Sequence, residues 1–404
     1  MNEALVVRRL LFGRPVQNLI AALVMALSVA LSVCVLLLAA GMHNALIQAA
    51  EPFPMLMGAK GSPNQLVLNS VFLKDQPLGN ISYEEVERLR ADKNVELAVP
   101  LGFGDNYRGF RLVGTETEIF TFRGIGSKEN WLKVKDGRAF GAEHEAVIGS
   151  DVAERCGLKI GDRFASVHGV VANANARAHK DEYTVVGILD KVHGPYDSAI
   201  FVSIESIWEQ HAHGHDAKAV AEAHEHEGKE VTAVLIRPQG YAASMQLAAS
   251  YAKNRDVQII FPSKTVIQLF TVMGDVEKLL EFLSLAVLLL ALLIIGSSLY
   301  WFVFSNIRQQ AVLRALGATA AQVSRLYFCM GLALVATGLI AGLILGHGLF
   351  ELIGWLLEAK AGLYMGHPFL AMEGVLALAV IVCGAFSSWL PSSWCGRRDI
   401  AQGL

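Results

Sequence analysis

The densest group of side chains able to do chemistry is HAHGHDAKAVAEAHEHEGKE, residues 211–230. His211, His213, His215, His224 and His226 stand there among Glu209, Asp216, Glu222, Glu225 and Glu227. Neutral imidazole ligates zinc, copper and nickel near neutral pH. H-x-H-x-H does not repeat with the helical period, so a flexible polar loop over 209–230 would have to wrap the ion. Zinc tolerates such irregular donor sets best. The same composition fits a solvated loop that chelates metal incidentally, and at this point both readings stand. The tract is internal and interrupted, unlike an appended tag.

Other catalytic constellations are missing. His144-Glu145 and His224-Glu225 lack the second histidine of a zinc-protease helix, and G-x-S-x-G is absent. GAKGSP, at 58–63, lacks the G-x-x-x-x-G-K-[ST] spacing of a phosphate loop, which occurs nowhere in the chain. No enzyme and no cofactor is therefore expected in this polypeptide, zinc at the histidines excepted. Cys34, Cys329 and Cys383 fall in apolar runs, Cys395 follows one, and Cys156 stands alone in the polar middle, so no disulfide is expected within that middle.

The elements that carry these groups follow from composition. The chain is 53% hydrophobic with a net charge of -3, which excludes a nucleic-acid partner and an ordinary soluble domain. Val16–Ala50 contains no Asp, Glu, Lys or Arg, and is longer than the roughly 20 residues a span needs. It is too long for a signal-peptide core and reads as an anchor projecting into a stalk. Phe282–Phe304, Leu326–Phe350 and Gly374–Leu390 are further spans. Arg8, Arg9, Arg14, Arg308, Arg314, Arg325, Arg397 and Arg398 all flank one side, while the loop after the third span carries Glu351, Glu358 and Glu373. The positive-inside rule then predicts both termini in the cytoplasm. Tyr300, Trp301, Trp389 and Trp394 fit an aromatic belt on that side.

The expected architecture is an α-helical membrane protein with four transmembrane helices. A large mixed α/β extracytoplasmic domain is inserted between the first and second. The expected divisions are 1–50 (N-terminus, first span and stalk), 51–275 (outer domain) and 276–304 (second span). Then come 305–325 (cytoplasmic loop), 326–350 (third span), 351–373 (short outer loop) and 374–404 (fourth span and tail). Within the outer domain QLVLNSVF reads as a strand, and Ser82 with Glu85 as a capping box opening a helix to about Arg90. Val95–Pro100, Phe110–Gly114, Tyr183–Leu189, Ala199–Ser203 and Val231–Arg237 read as strands, with a helix ended at Gly157. The spans hold almost no acid, which argues against an ion-coupled carrier or an intramembrane aspartyl protease. Gly338, Gly342 and Gly346 form a doubled G-x-x-x-G, a packing strip usable within the subunit or between copies.

The loop SNIRQQAVLRALGATAAQVSR, 305–325, patterns as a short amphipathic helix. Ile307, Val312, Leu313 and Leu316 lie on one face, with Arg308 and Arg314 toward the other. Gly317 stands where a helix-ending glycine would, and Thr319 could cap the next helix. Such a helix suits docking into a partner's groove; a loop that merely fixes topology is the other reading.

R-x-x-x-x-x-R-A-L-G-A, with its arginines at 308 and 314 read in that loop, resembles the coupling loop of FtsX-like and MacB-like permeases, membrane subunits of mechanotransmission-type ABC transporters. That family usually reads R-R-x-E-I-x-x-x-R-A-L-G-A; this chain has glutamine where the glutamate stands. DGRAFGAEHEAVIGSDVAERCGLKIGDRF, YTVVGILD and the RRLLFGRP lead-in are similar to the family too. The resemblance implies a homodimer in the bacterial inner membrane, coupled through Arg308, Val312, Leu313, Arg314, Leu316 and Gly317 to a separate P-loop ATPase that carries ATP and Mg. It further implies a periplasmic or lipoprotein partner and contact with membrane lipid. A metal-binding membrane receptor or scaffold without an ATPase is the alternative.

Overall fold

The computed structural model describes residues 3–13, 15–124, 126–169, 178–214, 229–305, 307–366 and 371–396. In chain order the elements are α1 (Glu3–Gly13), α2 (Pro15–Ala50), β1 (Met55–Ala59), α3 (Pro63–Ser70), β2 (Ile81–Ser82), α4 (Glu84–Ala91), β3 (Val95–Tyr107), β4 (Phe110–Thr115), β5 (Val134–Gly137), β6 (Glu145–Ile148) and α5 (Ser150–Cys156). They continue with β7 (Arg163–His168), β8 (Ala178–Leu189), β9 (Ala199–Ser203), α6 (Ile204–Gly214), β10 (Glu230–Val231), β11 (Ala233–Pro238), α7 (Tyr241–Tyr251), β12 (Val257–Ile260), α8 (Pro262–Ser305), α9 (Ile307–Ala315), α10 (Ala320–Ala361) and α11 (Ala371–Gly396). Two compact units result: Met1–Met42 with Met273–Leu356 and Met365–Leu404, and His43–Val272 with Leu357–Tyr364.

Four helices of the first unit are long and apolar enough to cross a membrane: Pro15–Ala50, Lys278–Ser305, Ala320–Ala359 and Ala371–Ser393. Serine side chains tie them together where apolar side chains alone would give no direction. Ser387 Oγ donates to Leu292 O at 2.8 Å, and Ser324 Oγ donates to Ser392 O at 2.6 Å. Gln17 Nε2 donates to Ser298 Oγ at 3.2 Å. Interhelical bonds of this kind are typical of membrane packing. Leu19, Leu293, Ile344 and Leu378 are exposed, as lipid-facing residues are.

The glycine strip has one occupant. A Cβ built on Gly338 would lie 2.7 Å from Met25 Cβ, one on Gly342 2.6 Å from Val29 Cβ, and one on Gly346 2.9 Å from Val33 Cβ. Both series ascend by four, so α2 and α10 run parallel, in contact along three turns. The strip therefore packs within the subunit. Parallel first and third spans are what a chain crossing alternately must produce.

The second unit is built on a ten-stranded mixed sheet in the order β12-β1-β11-β3-β4-β9-β6-β8-β5, with β7 pairing β3 and β8. The pairs β4–β9 and β6–β8 are parallel. One core gathers Phe53, Leu56, Val99, Phe120, Tyr196 and Phe201, and takes in Leu46 and Ala50 from the end of α2 and Val266 from the start of α8. A second, under β4, β6, β8 and β9, gathers Leu112, Ile148, Phe164, Tyr183, Ile200 and Ile207. Residues 357–364 are held by Lys191 to Glu358 at 3.1 Å, Arg155 Nη2 donating to Ala359 O at 2.5 Å, and the rings of His193 and Tyr364 at 4.8 Å.

Two local expectations give way. QLVLNSVF is not a strand: most of it lies in α3, because Ser62 Oγ accepts from Gln65 N at 3.3 Å and Pro63 opens the helix. A capped start with proline in the first turn outweighs a short apolar run. The Ser82–Glu85 capping box does not form. Ser82 pairs in β2 with Glu230, and Glu85 instead binds Arg88 at 2.6 Å, so sheet pairing holds the residue that would have capped.

Candidate functional site

α9 forms from the loop expected to couple. Ala318 N donates to Leu313 O and Gly317 N to Arg314 O, both at 3.0 Å, while Gly317 has φ 98. These two bonds are the Schellman end of a helix, and the left-handed backbone requires glycine. Thr319 then caps α10: Gln322 N donates to Thr319 Oγ1 at 3.2 Å, and Thr319 N to Gln322 Oε1 at 2.8 Å. The turn between α9 and α10 is thus fixed at both ends.

The faces of α9 divide unexpectedly. Gln310 and Ala311 are buried, and Gln310 Nε2 donates to Val303 O at 2.6 Å. The amide of Gln310 thus serves the end of α8. Val312 is 56% exposed and Leu316 81%, one turn apart, while Leu313 and Arg314 are half-buried. The side chain of Arg308 lies outside the described residues. Two large apolar side chains at i and i+4 thus project from a helix whose opposite face is satisfied.

In the second unit, α6 carries the start of the histidine tract. His211 and His213 lie in this helix rather than in a loop; their side chains, and His215, His224 and His226 altogether, lie outside the described residues. Nearby is a group that periodicity and motif matching missed. A ring nitrogen of His144 and one carboxylate oxygen each of Glu143 and Glu209 stand within 4.8 Å of one another. Glu143 and His144 are not near α6 in sequence; only sheet pairing brings the β6 edge there.

The loop before β6 is held stiffly. Arg138 makes a two-pronged ion pair with Glu145, one arm at 2.7 Å, and Glu145 also accepts from Gly141 N at 2.8 Å and Ala142 N at 3.2 Å. The Arg138 hydrogen bond first, then these backbone donors, hold the Glu145 carboxyl at about 2. The depressed value means that the latch is fully present above the ordinary carboxylate range and is lost as pH falls toward 2. His144 has φ 61, its N donates to Ser206 Oγ at 3.0 Å, and its carbonyl accepts from Thr184 N at 2.8 Å.

Comparison with known proteins now bears on the whole chain. The MacB-like periplasmic core domain matches residues 19–255, more than half of the 404, and the FtsX-like permease C-terminal domain matches 281–398. The chain belongs to the MacB-like, FtsX-like permease family. It is a multi-pass membrane subunit of the ABC transporter type, and its family implies an ABC ATPase partner and a dimeric arrangement. Among solved structures it is similar to the extracellular domain of the noncanonic ABC-type transporter YknZ from Gram-positive bacteria, at 13% identity and TM-score 0.31, over 51% of this chain and 98% of that one. It is also similar to the periplasmic region of MacB from Actinobacillus actinomycetemcomitans, at 11% identity and TM-score 0.35, over 55% of this chain and 94% of that one. No curated protein matches. In this permease α9 lies inside the FtsX-like match and the Glu143–His144–Glu209 group inside the MacB-like match, with residues 256–280 in neither.

Proposed function

We propose that this permease, as a homodimer, couples ATP hydrolysis by a separate P-loop ATPase to movement of its outer unit. The observation that supports this best is the apolar pair Val312 and Leu316, projecting from a helix with a fixed end. A groove on the ATPase would cover them. Movement of α9 would pass directly to α8 and α10, between which it sits in sequence. The ends of α2 and α8 and residues 357–364 are part of the outer unit's own packing, so three connections could carry a displacement into it. The client would be a lipid-linked, protein or small-molecule species, extracted or exported. The histidine tract, through His211, His213, His215, His224 and His226, would bind zinc and tie the cycle to metal.

The test is purification of the native complex together with a topology map. A P-loop ATPase is expected to co-purify in stoichiometric amount; its consistent absence would favour a metal-binding receptor or scaffold. In sealed cells a membrane-impermeant thiol reagent is expected to label a cysteine placed in the tract, in a variant otherwise free of cysteine, and to leave one at position 314 unlabelled. This follows from the arginine asymmetry. Labelling at 314 from outside would reverse the topology and end the coupling proposal.

A further inference from the structure

We propose that Glu143, His144 and Glu209 form a zinc site in the outer unit, with a coordination position left open. The three ligand atoms lie within 4.8 Å of one another. Zinc bonds of about 2.0–2.2 Å would set ligand atoms roughly 3.3–3.6 Å apart, so the site needs a closure of about one ångström. Glutamate side chains supply that by rotation. The histidine backbone, pinned to Ser206 and Thr184, need not move.

Three independent observations point to a cation. Among the described residues, His144 Nε2 is buried with no hydrogen-bond partner. A buried imidazole nitrogen normally has one, and a metal ligand uses one ring nitrogen for the ion while the other is oriented by a partner. Beside it, among the described residues, Tyr183 is fully buried with its hydroxyl unpartnered and its ring 5.6 Å from that of His144. The adjoining cleft, of about 880 Å³, carries Glu116, Glu118, Glu143 and Glu205 against Arg90, which is already paired with Glu116. A cleft whose lining is net negative concentrates cations.

Imidazole with two carboxylates selects a first-row divalent cation over calcium or magnesium. Three protein ligands leave the fourth zinc position to water or an external ligand. The first histidine of the tract follows Glu209 by two residues on the same helix. The inference deepens the metal-linked reading of the tract, but the three-residue site does not depend on the tract's histidines.

Zinc titrated into the full-length permease in detergent, against a chromophoric chelator, separates the two. A variant with all five tract histidines changed to alanine is expected to retain one zinc equivalent. Adding His144→Asn and Glu209→Gln to it should weaken that equivalent by at least about 10–100-fold, the scale lost even when only an outer-shell partner is removed. Asparagine tolerates the left-handed backbone of residue 144, and unchanged thermal unfolding of the apo proteins checks the fold. Cobalt(II) offers a readout that leaves the site intact: in the five-histidine variant, d–d absorption displaced by one equivalent of zinc is expected. No zinc bound by the five-histidine variant, equal affinity with and without the anchor changes, or a cobalt spectrum like that of the aqueous ion would overturn the site. Loss of zinc only on removing the tract would leave the tract proposal standing and this one refuted.

Discussion

Leu316→Asp is expected to abolish stimulation of the partner ATPase while the permease still inserts and folds. Leu316 is 81% exposed in the single chain, so a carboxylate there costs the fold almost nothing. Inside a partner's groove the same carboxylate would be desolvated without a counter-charge. Truncating a central apolar anchor of an interface costs at least about 2 kcal/mol, roughly 30-fold in affinity, and a buried charge costs more. Val312→Asp should act in the same direction, and Leu313→Asp also, although Leu313 is half-buried and its change would loosen α9 itself. Gly317→Pro reaches the same end by geometry: proline cannot adopt φ 98 and cannot donate to Arg314 O. The measurement is ATPase rate and co-purification in nanodiscs, with far-ultraviolet circular dichroism as the folding check. Intact complexes with normal ATPase stimulation for both Leu316→Asp and Gly317→Pro would remove α9 as a docking helix.

Gly342→Leu is expected to prevent assembly of the helical bundle. Even a Cβ at this position would stand 2.6 Å from Val29 Cβ and 2.7 Å from Ala26 O, and the second of these is backbone. A side-chain end can swing aside; a carbonyl in α2 moves only with its helix. Overpacking typically costs about 1–3 kcal/mol where neighbours can adjust, so the cost here should sit at or above the top of that range. Gly348 and Gly354 lie on the same helix with nothing within 4 Å of a built Cβ. Alanine at either is expected to be neutral or to stabilise by some tenths of a kcal/mol, through the helix propensity it gains. Thermal unfolding in detergent with size-exclusion monodispersity compares them. A Gly342→Leu protein as stable as Gly348→Ala would mean that α2 and α10 do not pack along this strip.

Both outcomes rest on features visible in the sequence to different depths. The four spans, their arginine asymmetry and the interrupted α/β middle were legible because hydrocarbon demands long uncharged runs, and such runs need no partner to be recognised. The end of α9 was legible for the same local reason. Left-handed backbone selects glycine at 317, and Thr319 with Gln322 closes the next helix on itself. The doubled glycine motif announced a close approach, but a strip of small residues does not name its partner; only the matching ascent of Met25, Val29 and Val33 assigned it to α2. Local signals failed where long-range pairing competed, as when the strand β2 claimed Ser82 from its capping box. They failed again on α9, where helical spacing could not tell that Gln310 turns inward to Val303 O while Val312 and Leu316 stay outside. The histidine tract was conspicuous by composition. Glu143 and His144, by contrast, carry no spacing that links them to Glu209, more than sixty residues later. Metal-ligating geometry is a property of three-dimensional separation, and here it was decided by the pairing of β6 with β8 and β9 and the packing of α6 behind them.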